Sequence, residues 1–501
     1  MKGRFSGQTE FQGGFSTLEI LIAMAVLIFV LSSVVTVSFG GQAILSDSEI
    51  AGSALASAQE LIEAEQSLAR KDFRLVNPVP ETIDGIYRKR VEVETESDYL
   101  TKKVTTIVAW TGEYGRNLDI RLTTLVTNFE NAVGGDTCNS IVTGQNWLAP
   151  TVSTYAMSAL NGIAGNFPVS DIDVAGGMMY VSVNDSSLNT NPTFFVFDAS
   201  TNPPTYKGSI DNDKPTSRRE DGLNAIHAAG NYAYAASAIS ANFNTCSQSE
   251  NCAQLQIFNV SNPVSPIFAK SFKLPNSLGS GGLAVGKSIF YKDGYVYVGL
   301  TSTASGPEFN IVDVHDPLNP KWIGGWGVGG HDVNAIYVKG KYTYVLTAAS
   351  QELYILDISN PASPVVAGGF DAPFTFGNGK SVYAVGDTLY FGRTFSSEPE
   401  FYVLDNEDPT IVNPTDILGT VEAGSMQSVN GIFIRDFFAF ILSNDQFRIF
   451  DISNPSSMSL KFDLPLSEKS KTLECDGNIL YIGSGETEGN IGTITLLKPG
   501  S

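Results

Sequence analysis

The densest group of side chains that could bind a metal is Asp211-Asn212-Asp213, with Glu220 and Asp221 a few positions later. Carboxylate and amide oxygens that converge on one loop are the ligands that Ca²⁺ prefers. The spacing is not that of an EF-hand, so calcium near Asp211 and Asp213 is one alternative and a plain solvated loop is the other. We expect no other cofactor.

Histidine is the usual side chain for acid–base chemistry near neutral pH, and this chain of 501 residues has 3, at positions 227, 315 and 331. None has a partner at metal-ligand spacing. No nucleophile, base and orienting residue can be assembled around any of them. The sequence therefore predicts no catalytic residue and favours a binding protein over an enzyme.

The chain contains 4 cysteines. Cys246 and Cys252 enclose a short polar loop, which in an exported protein is typical of a local disulfide. A zinc site is the alternative, but the spacing is long and no second pair accompanies it. Cys138 and Cys475 lie far apart in sequence, and they could either pair or stay as buried thiols.

The elements that must position these residues repeat with a period of about 46 residues, which indicates a solenoid or a propeller. Each repeat has a hairpin, then a strand such as residues 353–357 or 447–451, then an Asp/Asn-Pro turn and a fourth strand. Calcium is an alternative role for these turns, but Asp or Asn followed by proline is what a type I turn prefers. The seven hairpins end on equivalent aromatic residues: Tyr180, Tyr234, Tyr297, Tyr344, Tyr390, Phe440 and Tyr481.

The seventh repeat ends without a fourth strand, and residues 150–159 have the character to supply it. A ring that closes on an N-terminal strand has no open sheet edge. We therefore predict an all-β seven-bladed propeller with a mixed closing blade. The signature Asp357-Ile358-Ser359-Asn360-Pro361 is similar to the LVIVD repeat family of bacterial and archaeal surface proteins, and that resemblance implies a propeller at a cell surface.

A polar residue lies two positions before the constant aliphatic of each inner strand. If these residues face the central channel, the three lysines and three asparagines form an anion-accepting mouth. The alternative, which we favour, is solvated lining and hydrogen bonds at the strand starts. The residues are Ser170, Asn224, Lys287, Asn334, Lys380, Asn430 and Lys471.

The N-terminal segment has a different organisation. No charged residue occurs from Ile20 to Gly40, a length that can cross a bilayer as a helix. Glu19 stands at the start of this run, where a carboxylate needs a partner. A secretory signal would place its small residues after the apolar stretch, whereas Gly13 and Gly14 come before it.

The order Gly14-Phe15-Ser16-Thr17-Leu18-Glu19 resembles the class III signal of type IV pilins and pseudopilins. The resemblance implies that a prepilin peptidase cuts between Gly14 and Phe15, that Phe15 becomes a methylated terminus, and that Glu19 acts in filament assembly. A plain signal peptide or signal anchor is the alternative.

Beyond the apolar run, helical periodicity continues to about residue 70, and three strands follow at 87–94, 103–110 and 118–128. The strands resemble those of minor pilins. The predicted fold is multidomain: a leader at 1–14, a pilin-like long helix with a small antiparallel sheet at 15–130 and a membrane span at 20–40, a linker at 131–146, and a propeller at 147–501.

A net charge of −21 argues against a nucleic-acid partner. The two resemblances together imply a minor pilin or pilus-associated surface protein. Its expected location is the bacterial cytoplasmic membrane and then the pilus or cell surface. Its expected partners are other pilin subunits, the prepilin peptidase, the inner membrane before assembly, and a surface, cell or protein ligand of the propeller. The alternatives are a type II secretion pseudopilin that captures cargo and a surface-anchored propeller enzyme.

Overall fold

The computed structural model describes residues 17–71, 76–95, 101–112, 115–127, 146–184, 192–212, 222–238, 253–275, 278–279, 282–373, 377–411, 416–424, 427–435, 437–485 and 491–500. Several residues singled out in the sequence lie outside this part of the chain: Gly14, Phe15, Cys138, Cys246, Cys252 and Asp213. The chain divides into two compact units, one holding a long helix and the first sheet and the other holding the repeats.

Helix α1 spans Thr17–Lys71, 55 residues, and its end agrees with the predicted limit near residue 70. Its second half is amphipathic, and Ala54 and Ala58 pack against Val108 and Trp110 of the sheet. Small residues on this face let the helix approach the sheet closely. The Thr106 hydroxyl donates to the carbonyl of Ala58, at 3.1 Å.

Four strands form the first sheet, in the order β1 (Val79–Asp84), β2 (Tyr87–Thr95), β3 (Thr101–Thr111) and β4 (Asn117–Thr127). The three predicted strands are confirmed, and β1 was missed because its Pro80 argues against a ladder position. A proline is tolerated here since β1 is an edge strand, and its pairing with β2 is irregular between Val79 and Thr82.

Among the described residues, no helix combines the length and the apolar character needed to cross a membrane. The predicted membrane span over residues 20–40 includes side chains outside the described part, and it stays a prediction. The side chains from Met24 to Val34 are described, and they are exposed.

The second unit begins with β5 (Asn146–Ala156) and the short helix α2 (Met157–Asn161). Four-stranded antiparallel blades follow. Blade 1 is β6 (Val169–Ala175), β7 (Met178–Val183), β8 (Phe194–Asp198) and β9 (Thr205–Ile210). Blade 2 is β10 (Leu223–Ala229), β11 (Tyr232–Ser237), β12 (Leu255–Asn259) and β13 (Ile267–Phe272). A small hairpin, β14 (Leu278–Gly279) and β15 (Gly282–Leu283), precedes blade 3.

Blade 3 is β16 (Gly286–Lys292), β17 (Tyr295–Leu300), β18 (Phe309–Asp313) and β19 (Lys321–Trp326). Blade 4 is β20 (Val333–Lys339), β21 (Tyr342–Thr347), β22 (Leu353–Asp357) and β23 (Val365–Phe370). Blade 5 is β24 (Gly379–Val385), β25 (Thr388–Arg393), β26 (Phe401–Asp405) and β27 (Ile417–Val421).

Blade 6 is β28 (Gly431–Arg435), β29 (Phe438–Leu442), β30 (Gln446–Asp451) and β31 (Ser459–Pro465). Blade 7 joins β32 (Ser470–Asp476), β33 (Ile479–Ser484) and β34 (Thr493–Gly500) to β5. Short 3₁₀ helices, Pro409–Ile411 and Pro455–Ser457, follow β26 and β30. The predicted closing strand is thus found, because β5 pairs with β34 over Thr151–Ala156.

The first strands of the seven blades contact one another in cyclic order, and β32 contacts β6. In the described part of the chain, these seven sheets therefore form a closed propeller. Tyrosine or phenylalanine at the predicted seven aromatic positions is buried in the layers between blades, as with Tyr344 and Tyr481. Burial of such rings is the main stabilising term for a fold of this kind.

The Asp/Asn-Pro turns form the outer contact between blades. A side chain on Gly208, Gly324, Gly368 or Gly419 of a fourth strand would collide with the carbonyl oxygen of Pro263, Pro361, Pro409 or Pro455 in the next blade. The first Asp or Asn of the signatures accepts a hydrogen bond from the backbone two residues later, for example Asp357 Oδ1 from the N–H of Ser359 at 2.8 Å and Asn259 Oδ1 from that of Ser261 at 2.9 Å. At Asn360-Pro361 the N–H of Ser363 donates to the carbonyl of Asn360 at 3.0 Å, so the predicted turn is found there.

We expect Gly419→Ala to destabilise the propeller by about 1–3 kcal/mol, because the new methyl group overlaps the Pro455 carbonyl and blades 5 and 6 must separate. The matched control is Gly327→Ala, whose methyl group would lie 3.7 Å from Glu308 Oε2 in ordinary contact. Thermal unfolding of both variants gives the comparison. Equal Tm values for the two would contradict this role of the glycine.

Candidate functional site

The predicted polar ring lies where each inner strand begins, and part of it forms hydrogen bonds to the next blade. The Ser170 hydroxyl donates to the carbonyl of Leu223 at 2.5 Å. The side-chain amides of Asn224, Asn334 and Asn430 donate to carbonyls of the following inner strand at 2.7, 2.7 and 2.8 Å. For these four residues the structure has the strand-start hydrogen bonds that the sequence favoured.

In the three blades with lysine at this position, the next residue makes the connection. Ser288 donates to the carbonyl of Val333 at 3.1 Å, and Ser381 donates to that of Val429 at 2.9 Å. Thr472 donates to Asp171 Oδ1 at 2.6 Å across the closing junction. Each described junction between inner strands is therefore joined by a side-chain donor from one blade to the next.

The lysines of the predicted anion-accepting mouth do not lie alone. Lys287 Nζ is 2.7 Å from Asp332 Oδ2, and this pair offsets the charge that an anion would need. Lys380 and Lys471 are half-buried. Since four of the seven predicted residues bond to backbone and a fifth is ion-paired, these contacts support a role in holding the ring.

Asp171 joins three blades at the seam where the ring closes. Its Oδ1 accepts from Thr472 of blade 7, and its Oδ2 accepts from the backbone N–H of Ile226 in blade 2 at 2.9 Å. Burial raises the pKa of Asp171 to about 7, and the two hydrogen bonds oppose the rise. The seam therefore contains a carboxyl group that titrates near neutral pH.

Aromatic rings at equivalent positions of the first strands contact one another from blade to blade. Ring centroids of Phe290, Tyr337, Tyr383 and Phe433 lie 5.5 Å from their neighbours around blades 3 to 6. His227 continues the series, 5.2 Å from Phe290, and it lowers the pKa of Asp173, which burial raises. This histidine is packed among rings and has a structural role.

The remaining candidate residues are described only in part. His315 pairs with Asp313 at 2.7 Å in an exposed turn. Asp211 Oδ1 accepts from the backbone N–H of Asn212, while Asp213 lies outside the described residues, so the calcium prediction stays untested. Within the described part, no group of three His, Cys, Asp or Glu side chains could hold a metal ion.

Cys475 is buried and disulfide-bonded, which excludes the alternative of a buried thiol at this position. Cys138 lies outside the described residues, as do Cys246 and Cys252. The predicted loop disulfide is therefore still a prediction.

A row of buried acidic and amide side chains precedes the third strand in four blades, and sequence reasoning missed it. Gln254, Glu308, Glu352 and Glu400 each accept from a backbone N–H about one strand further on, for example Glu308 Oε2 from Val328 at 2.7 Å. The signal was present, since each residue immediately precedes Leu or Phe at the start of its strand.

One of these residues, Glu352, lies in a cavity of about 350 Å³ between blades 4 and 5. Its Oε1 accepts from Arg393 Nε at 2.9 Å and pairs with Arg393 Nη2 at 2.8 Å, and both side chains are 1% exposed. Burial raises the pKa of Glu352, and Arg393 lowers it. Asp371, Asn378 and Thr394 line the same cavity.

Arg393 departs from the pattern of the repeats. It ends the second strand of blade 5, three residues after the constant aromatic Tyr390, and the residues at the equivalent position of the other blades are Val183, Ser237, Leu300, Thr347, Ser443 and Ser484. An alignment of the repeats would have revealed this single arginine among small and apolar residues. The cavity brings buried and exposed polar side chains together, and we take it as the candidate ligand site.

Two stretches of the chain, residues 330–372 and 428–464, match the model of the LVIVD repeat family. They coincide with blades 4 and 6. None of the curated proteins compared with the chain matches it.

Solved structures resemble the chain at low identity. A functionally unknown protein from Desulfotomaculum acetoxidans DSM 771 has a TM-score of 0.42 and 10% identity over 64% of this chain and 90% of its own. A candidate 6-phosphogluconolactonase from Bacteroides fragilis NCTC 9343 has a TM-score of 0.46 and 10% identity, over 77% of this chain and 97% of its own. A second one, from Bacteroides uniformis ATCC 8492, has a TM-score of 0.48 and 10% identity, over 72% of this chain and 92% of its own. These similarities carry no argument about activity.

The raised pKa of Asp171 predicts a pH dependence of stability. Its pKa is 3.8 when unperturbed and about 7 in the fold, so the folded state binds the proton more tightly, and stability rises as pH falls from 8 to 5. Glu400, whose pKa burial raises to about 7, contributes in the same direction. We expect Tm to be higher at pH 5 than at pH 8.

Asp171→Asn cannot titrate, and its single side-chain oxygen can replace only one of the two carboxylate acceptors, so we expect a lower Tm at every pH and a smaller rise between pH 8 and pH 5, with Glu400→Gln reducing the rise further. Asp198→Asn is the control, because the pKa of Asp198 is lowered by Ser200 and Lys207 and it stays ionised over this range. Identical slopes of Tm against pH in the wild type and Asp171→Asn would refute the assignment.

Proposed function

We propose that this chain is an exported, filament-associated surface protein that docks through its N-terminal helix into a type IV pilus or a related pseudopilus and displays the propeller as a binding module. The proposal combines an assembly segment with a recognition scaffold in one chain.

The observation that carries the proposal is the division of α1 into two halves. Contacts to the sheet begin near Ile50, where the Tyr87 hydroxyl donates to the Ile50 carbonyl at 3.1 Å. The segment from Met24 to Val34 is apolar and exposed, with Phe29 76% exposed. A continuous apolar helical surface of this size needs an apolar environment. A membrane before assembly and neighbouring helices in a filament would both supply it.

Glu19 supports a filament rather than a permanent membrane anchor. It belongs to the helix, two residues after its first residue, at the start of the uncharged run. A carboxylate at this depth needs a cationic partner. In a filament, the free amine of Phe15 from a neighbouring subunit supplies one after the prepilin peptidase removes residues 1–14.

Several features of the propeller favour binding over catalysis. His227 contacts aromatic rings, His315 contacts a turn carboxylate, and His331 is exposed beside Asp332. The inner-strand polar residues hold neighbouring blades together. The acidic chain, with a net charge of −21, disfavours nucleic acid. A propeller of about 350 residues would crowd neighbouring subunits, so a minor or tip position suits it better than bulk polymer.

The test is the Glu19→Leu variant, expressed in cells. The matched control is Glu60→Leu, because Glu60 is an exposed glutamate in the half of the same helix that packs on the sheet. We expect the Glu19 variant to be made and exported but lost at least tenfold from sheared filament fractions, because the carboxylate no longer finds the amine. The control should enter filaments at the wild-type level. Normal incorporation of Glu19→Leu would contradict the docking model.

A further inference from the structure

We propose that the cavity between blades 4 and 5 binds a neutral, polyhydroxylated ligand of the size of a mono- or disaccharide. The inference deepens the proposed function, since it names the ligand class of the displayed propeller. It stands on the geometry of the cavity and on the way blade 5 departs from the other blades.

The cavity has the volume of a small-molecule site. Its volume of about 350 Å³ lies in the range of ligand pockets, which begins near 300 Å³. Glu352 and Arg393 lie buried in its wall, and Ser350 is an exposed residue at its margin. Buried polar groups thus meet a space that a ligand can enter past a solvent-facing residue.

The fold does not require the ion pair between Glu352 and Arg393. The equivalent position in the other blades holds Val183, Ser237, Leu300, Thr347, Ser443 or Ser484, so a propeller blade does not need an arginine there. Burying two charges is costly even when they are paired. A residue that costs stability in one repeat and is missing from six is best explained by a ligand.

The local backbone is shaped around the guanidinium. A Cβ on Gly377 would overlap the Arg393 guanidinium in its present position, so the glycine lets the guanidinium pack against the backbone. Arg393 uses Nε and Nη2 on Glu352, and its guanidinium also interacts with the buried Tyr402, which lowers the pKa of that hydroxyl against the effect of burial. The planar group is therefore held in one orientation in the cavity wall.

The mixture of donors and acceptors identifies the ligand class. Arg393, Asn378, Ser350 and Thr394 can donate, while Glu352 and Asp371 accept. A hydroxyl group both donates and accepts, so adjacent hydroxyls of a sugar can use both kinds of partner at once. The formal charge of these residues sums to −1, one arginine against two acids, which disfavours carboxylate and phosphate ligands.

The test uses the full-length protein in detergent and saturation-transfer NMR with glucose, galactose, mannose and N-acetylglucosamine as probes, with acetate and inorganic phosphate as anionic competitors. Ser350→Phe fills the cavity margin without touching the ion pair. Ser305→Phe is the matched control, because Ser305 is an exposed serine in the equivalent loop of blade 3.

We expect at least one sugar to bind, Ser350→Phe to weaken it at least tenfold, and Ser305→Phe and the anions to change little. Arg393→Met with Glu352→Gln, which removes both charges together, should also abolish binding while circular dichroism stays unchanged. No binding by any sugar, equal binding by the two phenylalanine variants, or displacement by acetate or phosphate would overturn the assignment. Filament incorporation of Ser350→Phe is measured alongside, so that a failed sugar test is distinguished from a failed docking model.

Discussion

The propeller depends on one pairing between strands that are more than 300 residues apart. β34 ends the last repeat, and β5 precedes the first, yet they form a continuous ladder in which the hydroxyls of Thr154 and Thr495 lie 2.9 Å apart. Without β5, blade 7 would expose the edge of β34, and an open edge invites pairing with other chains. The segment that carries the chain into the propeller is thus also the segment that closes it.

The ring is also closed by hydrogen bonds between the inner strands. Serine, threonine and asparagine side chains join each described inner strand to the next in one direction, and the last bond, from Thr472 to Asp171, completes the circle. Backbone groups at the inner strands would otherwise lose bonds to water without replacement. The same requirement explains why a polar residue recurs at the start of every inner strand and why it is not by itself a sign of a ligand.

Much of this architecture could be predicted because the same weak pattern recurs in every repeat. The aromatic positions, the turn signatures and the missing fourth strand together predicted seven blades and the closing strand. The partners of the polar column could not be predicted, since a side chain at a strand start can face the axis or the next blade, and only the bulge after Ser170 or Asn224 decides. β1 was missed because an edge strand tolerates the proline that a central strand excludes.

The cavity escaped prediction for a different reason. Arg393 and Glu352 are 41 residues apart, in different blades, and nothing local in either segment indicates that they meet. Their positions are conspicuous only when all repeats are superposed and the exception is sought. In this propeller the features shared by the repeats follow from the fold, and the arginine found in one repeat is the feature that the fold does not explain.

We propose that a filament carries this propeller at the cell surface. Immunogold labelling of intact cells with an antibody against the propeller tests it most directly. We predict gold on thin surface filaments, sparse along the shaft or gathered at the tip, and none in cells lacking the prepilin peptidase. Label spread over the cell body without filaments, or unchanged in the peptidase-deficient cells, would contradict the claim.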